Sequence, residues 1–287
     1  MLEYGRVEDR LVAQLCVVAL SHDIENEFVH RLILHRKFLP PVNASSTWPW
    51  PLKIEALGGF RVSISGEPLV FERKGQKKPL EMLQLVVTLQ DAASGTGPKV
   101  QQVMDELWPS LEAKDPQASL DTNLHRLRKL IGVEGAITLA DGRLSLNREL
   151  VWCDVPVFRM LSRTGSVEDA VRALTYYTGP LFDSTVYSWS AAQRERLATA
   201  YAGLVERCAS RLADGGDYKQ AIELYERALQ QDNLIESFYR GLMRCHHALG
   251  DSTEALRMYR RCRDLLSIVL STTPTAETEA LKAKLAF

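Results

Sequence analysis

The 287-residue sequence has no uninterrupted apolar run of the roughly 20 residues that a membrane-crossing helix needs. Its opening MLEYGRVEDR carries charges of both signs and no apolar core, which is not the pattern of a secretory leader. The five cysteines (Cys16, Cys153, Cys208, Cys245, Cys262) contain no C-x-x-C pair, so no zinc ribbon or dithiol motif is present. Scattered single thiols fit a reducing compartment, and the cytoplasm is the expected location. No charge excess exists either: Lys+Arg 35 against Asp+Glu 36 leaves a net charge of -1. A surface basic all over is excluded, and any affinity for nucleic acid must come from a local patch.

Catalytic and metal motifs are missing as well. The sequence lacks G-x-x-x-x-G-K-[ST], G-x-S-x-G and H-E-x-x-H, so it offers no phosphate cradle, nucleophile elbow or zincin helix. His246 and His247 are helix neighbours pointing about 100° apart, with no carboxylate or thiol spaced to complete a tetrahedral set. His22, Asp23 and His30 also lack a third partner. Neither an enzyme nor a cofactor is expected.

What is present is an ordinary globular composition, 46% hydrophobic and 25% charged, at a length that predicts about two domains. Residues 1–38 read as two helices, with Leu11, Leu15 and Val18 and then Phe28, Leu32 and Leu34 as their apolar stripes. PPVNASSTWPWP (40–51) is a proline-rich linker whose two tryptophans predict packing onto a neighbour. From Leu52 the apolar period becomes two, with Gly58-Gly59 and Ser65-Gly66 as turns between short strands. Three helices follow: Pro79 to Leu89, entered through the basic run KGQKK; Val100 to Trp108, ended by Pro109; and Ser119 to Ile131, ended by Gly132. AITLADGRLSL then reads as a hairpin turning at Asp141-Gly142. Strands, three helices and a closing hairpin outline a winged helix.

Everything after Val157 reads as helical. DYKQAIELYERALQQ (217–231) and DSTEALRMYRRCRDL (251–265) align at a constant offset of 34, pairing Gly216 with Gly250, Ala221 with Ala255 and Tyr225 with Tyr259. That is the period of a tetratricopeptide repeat, in which glycine turns the chain, alanine permits close helix approach and the aromatic fills the groove. Tyr176, Tyr177, Tyr187 and Trp189 read as core aromatics, with a ligand groove as the alternative.

At these residues the chain resembles known regulators. ELWP (106–109) and NLHRLRKLIG (123–132) resemble the OmpR-type DNA-binding domain. ALTYYTGPLF (173–182), the Trp189 to Arg194 stretch, ESFYRGLMRCHHALGD (236–251) and EALRMYRRCRDLL (254–266) resemble the bacterial transcriptional activator domain. The pairing is similar to the Streptomyces antibiotic regulatory protein family and to the effector end of MalT-like regulators, and it covers about residues 52–287. The expected fold class is mainly α with a small β component, an OmpR-type winged helix-turn-helix followed by an all-α tetratricopeptide-like domain. The expected divisions are 1–51 (helical extension and linker), 52–156 (winged helix) and 157–287 (activator domain). The resemblance implies a sequence-specific activator of transcription whose partners are double-stranded DNA, RNA polymerase and further copies of itself on DNA. The WPWPLKIEALGGF junction resembles the point where larger regulators join an upstream signalling module.

In a helix-turn-helix the second helix enters the major groove, here Ser119 to Ile131. At about 100° per residue, Leu120, Leu124, Leu127 and Ile131 share the core side. Thr122, His125, Arg126 and Lys129 occupy the opposite face, with Arg128 at its edge and an internal ion pair as its alternative. Arg126 is expected at a base edge, with Thr122 the second choice; His125 and Lys129 are expected at phosphates. Arg143 follows the hairpin turn, where a cation reaches a minor groove or phosphate. Lys77 and Lys78, before the first winged-helix helix, are expected at the DNA backbone. Residues 52–150 contain thirteen basic and thirteen acidic side chains. A single copy should therefore bind weakly and tight binding should need several, because phosphate neutralisation dominates affinity. The resemblance also implies tandem binding to direct repeats. That neutrality equally supports an interaction scaffold in which the winged helix docks protein.

Overall fold

The computed structural model describes residues 2–41, 44–70, 76–91, 93–109, 115–183, 185 and 187–285, with side chains of the first helix described from Glu8 onward. The chain groups into two compact units, one of residues 1–157 with 182–190, the other of 158–181 with 191–287. Among the described residues no helix is long and apolar enough to cross a membrane, and no cluster of His, Cys, Asp and Glu is set to hold a metal.

The first unit opens with α1 (Leu2–Ser21) packed on α2 (Asn26–Arg36). Both helices stand where the periodicity predicts them, but the buried sides differ from the predicted stripes. Ala13, Cys16, Val17 and Leu20 of α1 and Val29 and Ile33 of α2 are buried, while Leu11, Leu15, Val18, Phe28 and Leu34 are exposed. Both sides of α1 are apolar, so periodicity alone cannot choose between them, and the smaller side chains allow the closer approach. Trp48 and Trp50 of the linker are buried, and His30 Nε2 lies 2.7 Å from the Thr47 carbonyl.

A four-stranded sheet follows, in the order β3 (Glu67–Pro68), β2 (Arg61–Ile64), β1 (Leu52–Glu55) and β6 (Val151–Cys153). β1 pairs antiparallel to β2 and parallel to β6, with Leu52 opposite Val151 and Ile54 opposite Cys153. β6 has no counterpart in the sequence reading: all three of its residues are buried, so it shows no alternation to detect. Asp154 immediately after it accepts from Ala56 N (2.8 Å) and Leu57 N (2.9 Å), locking the end of β6 to the end of β1. Burial pushes this carboxyl up to about 7 even though backbone donors at Leu57, Ala56 and Val155 favour its ionised form.

Three helices pack mutually on this frame: α3 (Lys77–Leu89), α4 (Val100–Leu107) and α5 (Pro116–Ile131). Lys74 and Gly75 of the basic run before α3 lie outside the described residues. The hairpin β4 (Ile137–Ala140) and β5 (Arg143–Leu146) completes a winged helix. Its turn needs positive φ at both central residues, and Asp141 (51°) and Gly142 (67°) supply it. The Gln90 side-chain amide accepts from Leu146 N (2.7 Å) and donates to Leu146 O (3.2 Å), standing in for a strand neighbour. Residues 182–190 belong with this unit through Phe182 N to Ala56 O (2.8 Å) and Tyr187 Oη to Gln84 Oε1 (3.0 Å). They are helical only in a 3-10 turn at Ser188–Ser190, a departure from the continuous helical reading after Val157.

α6 (Asp154–Arg163) leads into the second unit, which contains α7 (Val167–Tyr176), α8 (Ala191–Asp214), α9 (Tyr218–Gln231), α10 (Glu236–Ala248), α11 (Ser252–Leu270) and α12 (Ala276–Lys284). Each helix from α7 to α11 packs on the next, and α12 closes on α10 and α11. The 34-residue alignment is a structural repeat. Gly216 and Gly250 have φ of 82° and 81°, and Asp217 and Asp251 cap α9 and α11 through Gln220 N and Glu254 N. Ala221 and Ala255 are fully buried. Gly241 of α10 lies under the Tyr225 ring so closely that a Cβ would overlap it. Tyr177 is core, stacked 4.2 Å from Tyr201, and Tyr187 stacks on Trp189 in the first unit.

Candidate nucleic-acid interface

α5 starts earlier than the apolar pattern predicts because Asp115 caps it, accepting from Ala118 N at 3.0 Å, and Pro116 sits at its first position. Both choices suit a helix start: the cap carboxylate satisfies an orphan N–H, and proline's missing N–H is not needed there. An Asp-Pro pair is a readable signal of this, and it adds three residues before Ser119.

Leu120, Leu124, Leu127 and Ile131 are buried, together with Asn123, whose Nδ2 donates to Ser119 O at 2.8 Å. Thr122, His125, Arg126 and Lys129 are all exposed, and none makes a side-chain hydrogen bond or ion pair among the described residues. A helical face so arranged offers hydroxyl, imidazole, guanidinium and ammonium donors without first breaking an internal bond.

The other expected contacts divide differently. Arg128 is exposed but donates from Nε (3.2 Å) and Nη2 (3.0 Å) to the Ile137 carbonyl, joining α5 to the first strand of the wing. Its internal partner is thus a carbonyl and not the carboxylate that an ion pair requires. Arg143 is partly buried and donates from Nη1 to Gly97 O at 2.9 Å. Around it Leu144 N reaches Pro98 O (3.0 Å) and Val100 N reaches Gly142 O (2.8 Å). A Cβ on Gly97 would overlap the Leu144 carbonyl, so this close approach requires glycine. Lys78 donates to Leu107 O at 3.0 Å and pairs with Glu81 at 3.1 Å, closing the carboxyl end of α4. Lys77, one residue earlier, is exposed and has no such partner among the described residues. The structure therefore separates five presented side chains (Thr122, His125, Arg126, Lys129, Lys77) from three that brace the scaffold. Nothing in the sequence marks the bracing role, because each carbonyl partner is far along the chain or on another element.

The architecture is a winged helix followed by stacked tetratricopeptide-like helices. Residues 153–286 match the model of the bacterial transcriptional activator domain. No curated protein matches the chain. A solved structure of Mycobacterium tuberculosis EmbR, in complex with a low affinity phosphopeptide, is similar with a TM-score of 0.61 at 20% identity, covering 82% of this chain. The alignment spans 65% of that chain's length, and at this identity the likeness is one of fold. Residues 153–286 thus form a bacterial transcriptional activator domain.

Proposed function

We propose that the chain activates transcription by binding double-stranded DNA sequence-specifically, with α5 in the major groove. The observation that carries this reading is the α5 face of Thr122, His125, Arg126 and Lys129, exposed and without internal partners opposite a buried leucine stripe. Arg126 reads a base edge with Thr122 beside it, while His125, Lys129 and Lys77 meet phosphates. Arg128, Arg143 and Lys78 hold α5, the wing and α4 in register and add their remaining donors at the rim. The helical domain serves assembly on DNA and contact with RNA polymerase.

The test is a fluorescence-polarisation titration against the gene's own upstream DNA at two salt concentrations. Affinity should fall steeply with salt, since phosphate contacts release counterions. Arg126→Ala should cost about 1–3 kcal/mol at the best site and relax preference at one base pair, with unchanged melting. The neutral balance of residues 52–150 favours the rival reading, a scaffold whose winged helix docks protein. No saturable binding at low salt would establish that rival and reject DNA reading.

A further inference from the structure

The wing contains more than the β4–β5 hairpin. Residues 97–100, at the entry to α4, run antiparallel beside β5. Leu144 N donates to Pro98 O (3.0 Å), Val100 N to Gly142 O (2.8 Å) and Gly97 N to Ser145 Oγ (2.8 Å). In this pairing Lys99 stands directly opposite Arg143, so the two side chains leave the same face.

The two cations are held differently. Arg143 is partly buried, with Nη1 committed to the Gly97 carbonyl at 2.9 Å. Lys99 is exposed and makes no side-chain hydrogen bond or ion pair among the described residues. The carboxylates of α4 and the hairpin are Asp105, Glu106 and Asp141, all exposed, and none of them pairs with it. Asp105 accepts instead from Gln101 at 2.8 Å. The backbone under Lys99 is fixed on both sides, by the Pro98 and Val100 hydrogen bonds and by the approach of Gly97 to Leu144 that leaves no room for a Cβ. The sequence reading put the cation of the wing at Arg143. The one that is free stands beside it, placed there by long-range pairing that residue type does not reveal.

We infer that Lys99 supplies a DNA phosphate contact where the wing meets α4. The inference rests on the reading that α5 enters the major groove: the first helix of such a pair then crosses the DNA backbone, and Lys99 immediately precedes that helix. A contact to phosphate positions the protein and carries no sequence information. The contribution of Lys99 is therefore the same on any duplex, unlike that of Arg126.

Fluorescence polarisation with the full chain tests it, on the gene's own upstream duplex and on a duplex of scrambled sequence, across a range of salt. Lys99→Gln should make the slope of log affinity against log salt shallower by about 0.9, the value of one phosphate contact on duplex DNA. The change should be equal on both duplexes, and melting should be unchanged because the side chain is exposed. Lys99→Arg should restore the slope. A parental slope retained in Lys99→Gln overturns the inference and leaves the reading of DNA by α5 standing. So does a loss confined to the upstream duplex, which would make Lys99 a base contact, or a slope that Lys99→Arg does not restore. No saturable binding by the parent at low salt overturns both the inference and the reading beneath it.

Discussion

The two units are held together by different kinds of contact. In the first, single polar groups bridge distant parts of the chain: Asp154 to Ala56 and Leu57, Gln90 to Leu146, Tyr187 to Gln84. Each occurs once, and removing it has no neighbour to absorb the loss. In the second, the same local devices recur 34 residues apart: a capping aspartate, a positive-φ glycine, a buried alanine, a buried tyrosine. Such an array behaves as a sum of nearest-neighbour terms. The first unit should therefore respond to point changes idiosyncratically and the second in matched pairs.

The sharpest way to set them apart is pH. Asp154 titrates at about 7 in the fold against 3.8 as a free side chain, because burial penalises its charge. The folded state then holds a proton that the unfolded chain releases between those values. Its contribution is fully present below about pH 4 and is lost as pH rises towards 7, a swing of roughly 4 kcal/mol. Asp154→Asn cannot ionise, so the melting temperature of the variant should be flatter between pH 4 and 8 than that of the parent. Equal slopes would mean that the carboxylate is ionised throughout and held by its backbone donors.

The matched pair Ala221→Leu and Ala255→Leu comes next. Both methyl groups are fully buried in the helix packing. Extra methylenes there should cost about 1–3 kcal/mol each. Similar losses by chemical denaturation would support repeat behaviour. A much larger loss at Ala221 would indicate that the inner repeat, where the Tyr225 ring rests on Gly241, tolerates less adjustment than the outer one.

The same distinction explains what the amino-acid sequence reveals. The α9 and α11 repeat was legible because its devices are local in sequence, and so was the α5 stripe, since only one side of that helix is apolar. The face of α1 was not legible, because Leu11, Leu15 and Val18 compete with Ala13, Cys16, Val17 and Leu20 and only tertiary packing decides. β6 escaped notice as a three-residue strand buried throughout. At the candidate interface, the polar face of α5 could be read from helical geometry. The bracing of Arg128, Arg143 and Lys78 could not, since a carbonyl acceptor leaves no mark in residue type.

The smallest expected effect makes the most exacting comparison. Asp217 accepts from Gln220 N at 3.2 Å and Asp251 from Glu254 N at 3.0 Å, each directly after a glycine at φ near 80°. The backbone bonds before them also correspond: Asp217 N reaches Leu212 O, and Asp251 N reaches His246 O. Replacing either cap with alanine leaves one helix N–H without its acceptor and should cost about 1 kcal/mol. In an array of local units the two losses should agree within a few tenths of a kcal/mol, and the double variant should show their sum. Asp251 begins the outer helix, which continues to Leu270 and is covered by α12. If capping strength depended on that surrounding, Asp251→Ala would differ from Asp217→Ala even though the local geometry matches. Urea unfolding of the two single variants and the double decides it: unequal or non-additive losses would show that the two caps are not equivalent, independent local units.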